Sequence, residues 1–177
     1  MGREATIRDL HKVEVRAELV DGRIVRLPLF GCALGIAAGN ILFSLAMHER
    51  AHGGGCAYGA SVAFVCHPRR TLSPAVSWYV GPRAGPDFPT GAPKFAVELR
   101  DVRDYGAAAE RRRQAKRTTY FEYGAQVVWD VDVLHEEWIR VYRATDPESA
   151  DVYKRGEVAD AEPAVPGWRF PVDELFL

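Results

Sequence analysis

Residues 94–100, KFAVELR, decide the architecture. Phe95, Ala96, Val97 and Leu99 form an apolar run of strand length, as a strand covered on both faces requires, and one carboxylate, Glu98, sits inside it. Upstream, residues 81–93 hold four prolines and three glycines, which makes them a loop and the place for a flexible flap. Downstream, residues 107–123 are a strongly helical, basic run containing Arg111, Arg112, Arg113, Lys116 and Arg117, stopped by Gly124. Residues 127–131 then return to a strand pattern.

Further out, residues 16–27, RAELVDGRIVRL, place Asp21-Gly22 between two alternating runs, a strong hairpin signal. Residues 31–52 carry Leu34, Ile41, Leu42, Leu45 and Met47 and read as one helix, ended by Gly53-Gly54-Gly55. Residues 56–66 and 75–80 read as two strands around a turn at 68–70, and residues 138–143 as a strand alternating between apolar and polar. Tyr153 and Val158 predict a last short strand or hairpin before the tail PGWRFPVDELFL. The order predicts an α/β (or α+β) fold, a mixed sheet with helices on its faces and a hairpin at its start, in a single domain over residues 1–177.

Composition narrows the functions. Hydrophobic residues are 47% and charged residues 27% of the 177, the balance of an ordinary soluble globular protein. A net charge of -1 gives no global attraction to nucleic acid, so phosphate binding must come from a local basic patch. Cys32, Cys56 and Cys66 are odd in number and lack C-x-x-C spacing, which predicts a reducing, cytoplasmic setting. The apolar stretch around Leu34 to Met47 is interrupted by Asn40 and Ser44, so no membrane span is expected.

A carboxylate within an apolar strand costs several kcal/mol of desolvation, roughly, unless a cation compensates it. Glu98 therefore either has such a partner or lies at a strand end facing solvent. Arg113, Lys116 and Arg117 share a helix side, which meets a phosphate backbone or is a solvated face balanced by Glu110 and Glu122; a mixture is expected, with Lys116 inward and the arginines solvated. Trp78, Trp129, Trp138 and Trp168 are expected in the core, and His11, His67 and His135 on the surface or in turns.

SPAVSWYVGP (73–82), APKFAVELRDVRDYG (92–106) and KRTTYFEYGAQVVWDVD (116–132) resemble the three signature blocks of the Uma-two family of restriction endonucleases, in order and at the usual separations. AELVDG near the start and VPGWRFPVDELF near the end resemble its opening and closing signatures. The likeness covers nearly the whole chain. It implies a restriction-endonuclease-like fold of the PD-(D/E)XK superfamily and an endonuclease that cleaves DNA with Mg²⁺ or Mn²⁺; a homodimer is also implied, since such proteins are often dimeric. By this resemblance Glu98 is the second acidic position and a metal ligand, Lys116 the lysine that assists the attacking water, and Glu18 an additional acid.

The first acidic position falls on Ala75, after Pro74, and a methyl group ligates nothing. Two alternatives stay open. Either a nearby carboxylate substitutes, with Asp101 as the second metal ligand ahead of Asp104 and Asp87, or the chain is a non-catalytic nucleic-acid- or protein-binding relative. A third possibility comes from His48-Glu49-Arg50-Ala51-His52, which spells the H-E-x-x-H of a zinc metallopeptidase. The glycines that end its helix at once, and Tyr58 where a third histidine belongs, argue against it.

Overall fold

The structure is a computed structural model and describes residues 3–177. A short helix α1 (Ile7–Leu10) is capped reciprocally by Thr6 and Asp9 and leads into the hairpin of β1 (Ala17–Val20) and β2 (Arg23–Arg26). Asp21 and Gly22 both take positive φ, 50° and 75°, as the tight two-residue turn demands. Then follow α2 (Cys32–His52), β3 (Cys56–Tyr58), β4 (Phe64–His67), β5 (Arg70–Leu72), β6 (Val76–Tyr79) and β7 (Phe95–Leu99). After these come α3 (Ala107–Glu122), β8 (Val127–Asp132), β9 (Trp138–Arg143), β10 (Asp146–Lys154), β11 (Val158–Asp160) and β12 (Arg169–Pro171), with a closing 3-10 turn at Val172–Phe176.

Six strands form the main sheet in the order β10-β9-β8-β7-β6-β3. All neighbours are antiparallel except β7 and β8, which run parallel because α3 carries the chain from one end of β7 back to the start of β8. A smaller sheet, β2-β1-β5-β4, contains the opening hairpin, and β11 pairs with β12. The expected mixed sheet flanked by helices, with its N-terminal hairpin, is what the chain forms.

The expected division between residues 56 and 80 differs. The 56–66 run is two strands, β3 in the main sheet and β4 in the small one, separated by a turn in which Ser61 has φ 75°. Residues 68–69 form a turn as anticipated, but Arg70–Leu72 continue as β5. The strand that holds Tyr153, β10, is also longer than expected, since the polar segment from Asp146 pairs along β9, and Val158 begins a separate strand, β11. Hydrophobicity marks each piece as buried but does not say under which sheet.

Period-two alternation places the site. On β7 the side chains of Phe95, Val97 and Leu99 join α2, Trp129, Trp168 and Phe170 in the main core, together with Leu34, Ala37, Ile41 and Leu45 of α2. Ala96 belongs to the opposite face, in a second cluster with Tyr120 of α3, so Glu98 also lies under α3. On β8 the same alternation puts Val127, Trp129 and Val131 in the main core and leaves Val128, Asp130 and Asp132 toward the other side. Trp78, Trp129, Trp138 and Trp168 are all buried, as expected. Indole N–H groups that go inward are satisfied, Trp129 by the Asp160 carbonyl at 3.0 Å and Trp168 by Ser44 at 3.1 Å.

Candidate active site

Parallel register sets Glu98 of β7 beside Asp130 of β8, two carboxylates on the face that α3 covers. Helical spacing answers them. Arg113, Lys116 and Tyr120 follow one another at three and four residues and so descend one side of α3. Each carboxylate takes its own partners from that row.

Glu98 Oε1 lies 2.9 Å from the Lys116 ammonium and accepts a 2.6 Å hydrogen bond from the Tyr120 hydroxyl. The same ammonium lies 3.0 Å from Glu18 Oε1. Glu18 comes from the small sheet, where its burial is compensated by the Ser73 backbone N–H, which donates to Oε1 at 2.6 Å. Ser73 is where the chain leaves the small sheet for the main one, so this bond fastens the two sheets at the site. Burial pushes the Glu98 carboxyl upward, but Lys116 and the Tyr120 hydrogen bond hold it below its ordinary value. Lys116 shows the mirror image: burial disfavours its charge, and Glu98 and Glu18 raise it above the ordinary lysine value. At neutral pH the Glu98 carboxylate and the Lys116 ammonium are therefore both charged. Cys66, near Glu18, is no nucleophile there, because burial pushes its thiol up to about 12.

A cleft of about 410 Å³ opens over this centre, lined by Arg16, Glu18, Ala75, Glu98, Asp101, Asp104, Arg112, Arg113 and Lys116 among others. Ala75 donates its backbone N–H to the Val97 carbonyl, and the Val76 to Val97 pairing puts it across from Glu98. Position 75, where the resemblance expects the first acid, therefore lies across from Glu98 on the cleft wall.

None of the three candidate substitutes stands free in its place. Asp101 accepts the Arg103 backbone N–H at 2.7 Å and pairs with its guanidinium at 2.7 Å, which holds the carboxyl low. Asp104 accepts the Asp101 N–H at 3.1 Å and meets Arg113 at 3.3 Å. Asp87 is exposed and does not line the cleft. Among the described residues no group of three or more His, Cys, Asp or Glu side chains is placed to hold a metal. A Mg²⁺ ion requires a near-octahedral shell of hard oxygens. With a methyl group at 75 and an ammonium between Glu18 and Glu98, the residues present do not fit one.

The second carboxylate was not singled out in the sequence. Asp130 accepts Arg100 Nε at 2.9 Å and Arg100 Nη2 at 2.6 Å, and it is paired with Arg113, which also donates to the Glu98 carbonyl at 3.3 Å. Arg100 reaches on to Glu110 and stacks on Trp138, 5.0 Å from the ring centre. The side chains of Arg100, Asp130 and Arg113 are only 3, 5 and 11% exposed. The expectation that the helix arginines are solvated is corrected for Arg113, since the Asp130 charge draws it inward. Arg117 lies over the Tyr142 ring at 3.6 Å, and Arg111 and Arg112 are exposed.

At the end of α2 the His48 and His52 rings stack 4.5 Å apart. Glu49, the base that a peptidase reading needs, instead accepts the Ala57 N–H at 2.9 Å and faces Arg83 at 3.5 Å, so its carboxylate ties the helix to β3. Of the other histidines, His11 stacks on Phe88, His67 accepts the Arg69 N–H and His135 packs edgewise on Tyr105.

The Uma2 family model, described as "Putative restriction endonuclease", matches residues 6–173. The chain belongs to the Uma-two family. No curated protein matches it. Among solved structures, a protein from Anabaena variabilis ATCC 29413, described as a "putative nuclease belonging to DUF820", is similar over 97% of both chains, with a TM-score of 0.73 at 15% identity. At that identity the likeness concerns the fold. The two-sheet plan is thus a Uma-two fold.

Proposed function

We propose that this Uma-two protein holds the phosphate backbone of DNA in the cleft over Lys116 and has lost metal-dependent cleavage of it. The single observation that carries this reading is the centre itself: Lys116 within 3.0 Å of both Glu18 and Glu98, with Ala75 where a second ligand would face Glu98. Two adjacent anions would ordinarily be the reason to recruit a divalent cation. In this chain a covalently attached ammonium bridges them and offsets one of the two charges, so the demand for a metal is weaker and its ligand count is short. Exposed Arg112 and half-buried Arg16 on the cleft walls supply the positive charge that a backbone phosphate meets.

The test is a plasmid-nicking assay in Mg²⁺ and in Mn²⁺, joined to a duplex-binding titration across salt concentrations. The native chain is expected to bind, with affinity falling as salt rises, and to nick no faster with metal than without. Ala75→Asp, its fold verified by circular dichroism, is expected to gain metal-dependent nicking of about 10- to 100-fold, from one restored ligand. That gain is expected to vanish on adding Glu98→Gln. Metal-dependent nicking by the native chain that Glu98→Gln abolishes would overturn the proposal.

A further inference from the structure

The cleft over Lys116 has two unlike walls. One is charged and is built by α3 and residues 101–104; the other is apolar and comes from the segment between β2 and α2, where Leu27, Pro28 and Phe30 line it. The Arg16 guanidinium stands over the Phe30 ring, 5.0 Å from its centre. Among the described residues Arg16 makes one hydrogen bond, from Nη2 to the Ser73 carbonyl at 2.6 Å, and its buried Nε has no partner. Leu29 and Val102 each sit in the chain between two lining residues, and they are 93 and 76% exposed. A phosphate alone has no use for this apolar side, so the wall calls for a ligand that is itself partly apolar.

On the reading that this cleft holds backbone phosphate, we propose that it takes one unpaired nucleotide, with the base against the Phe30 and Arg16 wall and the phosphate toward Lys116 and Arg112, so that the chain binds single-stranded DNA in preference to duplex. Base faces decide the preference. In a duplex the faces are stacked on their neighbours and the grooves present only base edges, whereas an unpaired base offers a flat face that stacks on aromatic rings and guanidinium planes. Leu29 and Val102 extend the apolar surface toward the neighbouring bases of the strand.

Size and charge agree with a single nucleotide. About 410 Å³ is the scale of a pocket for one small molecule. Five cationic side chains and four carboxylates line the cleft, an excess of one positive charge, which suits one backbone phosphate rather than the dense double row of a duplex. The net charge of -1 on the whole chain supplies no wider attraction, so stacking carries a large share of the affinity.

Fluorescence anisotropy of the full chain with three labelled probes tests this: a short oligothymidylate, its duplex with oligodeoxyadenylate, and an abasic sugar-phosphate strand of equal length. The native chain is expected to bind the oligothymidylate about tenfold more tightly than the duplex, the effect of one stacked base. The abasic strand has the same phosphates and no bases, and is expected to bind about tenfold more weakly than the oligothymidylate. Phe30→Leu keeps an apolar side chain against the core and removes the aromatic face; with its fold verified by circular dichroism, it is expected to narrow the ratio of single-strand to duplex affinity severalfold. Duplex bound as tightly as the oligothymidylate, an abasic strand bound as well as either, or a Phe30→Leu ratio equal to the native one would overturn the proposal and leave the phosphate-holding reading in place. Binding of none of the three probes would remove both. The abasic comparison uses the native chain alone, so it decides the matter even if Phe30→Leu does not fold.

Discussion

Asp130→Ala is expected to lower the unfolding free energy by about 3–5 kcal/mol at pH 7, because it strands two buried guanidinium groups. Arg100 and Arg113 are 3 and 11% exposed, and Asp130 is the carboxylate both of them share. Arg100 retains Glu110, but Arg113 retains only Asp104 at 3.3 Å and the Glu98 carbonyl, so most of the loss falls on α3. For a chain of this length the melting temperature should fall by about 2–4 °C per kcal/mol. Urea unfolding monitored at 222 nm measures it. A triple change, Arg100→Met with Asp130→Leu and Arg113→Met, removes the charges together and should recover most of the loss. If Asp130→Ala cost no more than a surface substitution, the cluster would not be holding α3 to the sheet.

The sign of the pH dependence follows from Asp130. Burial pushes its carboxyl up, and Arg113 and Arg100 more than reverse this, so the folded value lies below the ordinary 3.8. A lowered carboxylate stabilises the fold above its unfolded value, and that contribution is lost only as pH falls through the folded one. The native chain therefore keeps this stabilisation throughout the neutral range and loses it in strong acid, and Asp130→Ala should show a flatter acid limb. The consequence reaches the centre, because Arg113 stands one turn before Lys116 and fixes the rotation that delivers the ammonium to Glu98.

Which parts of this arrangement were legible in the sequence follows from what sequence patterns encode. Asp21-Gly22 specifies a turn through backbone sterics alone, and the hairpin forms there. Glu98 in an apolar strand signals a buried charge in need of a partner, and Lys116, expected to turn inward, is that partner. Asp130 is different. In VVWDVD it occupies an alternate position that equally suits a solvent-facing side chain, and its burial is decided by where α3 crosses, which no local pattern states. Arg113 was misassigned to solvent for the same reason. The division of residues 56–72 between two sheets depends on long-range pairing of β3 with β6 and of β5 with β1, a partnership that alternation cannot choose.

Lys116→Met is expected to invert the acid response of the protein. In the native chain Glu98 is held below its ordinary 4.5, so it stabilises the fold above that value and its contribution fades as pH drops through the lower folded one. Removing the ammonium leaves Glu98 and Glu18 as like charges, since each was within 3.0 Å of the same nitrogen. Among the described residues, the Tyr120 hydroxyl and the Ser73 N–H then remain to hydrogen-bond them. The Glu98 carboxyl should then take up its proton above its ordinary value, because burial pushes it up and the ammonium that reversed this is gone. Relative to the native chain, the variant should accordingly gain stability as pH falls from 7 toward 5. At pH 7 the loss is expected to be about 3–5 kcal/mol, the cost of breaking a buried pair from one side; it should shrink as the pair protonates. Glu98→Gln added to Lys116→Met removes one of the two anions and should flatten the slope. Urea titrations of the native chain, the single and the double variant between pH 5 and 8 distinguish these outcomes. A Lys116→Met curve parallel to the native one would mean that the ammonium does not bind the two carboxylates together in solution, and the reading of the centre as a cation-bridged pair would fall with it.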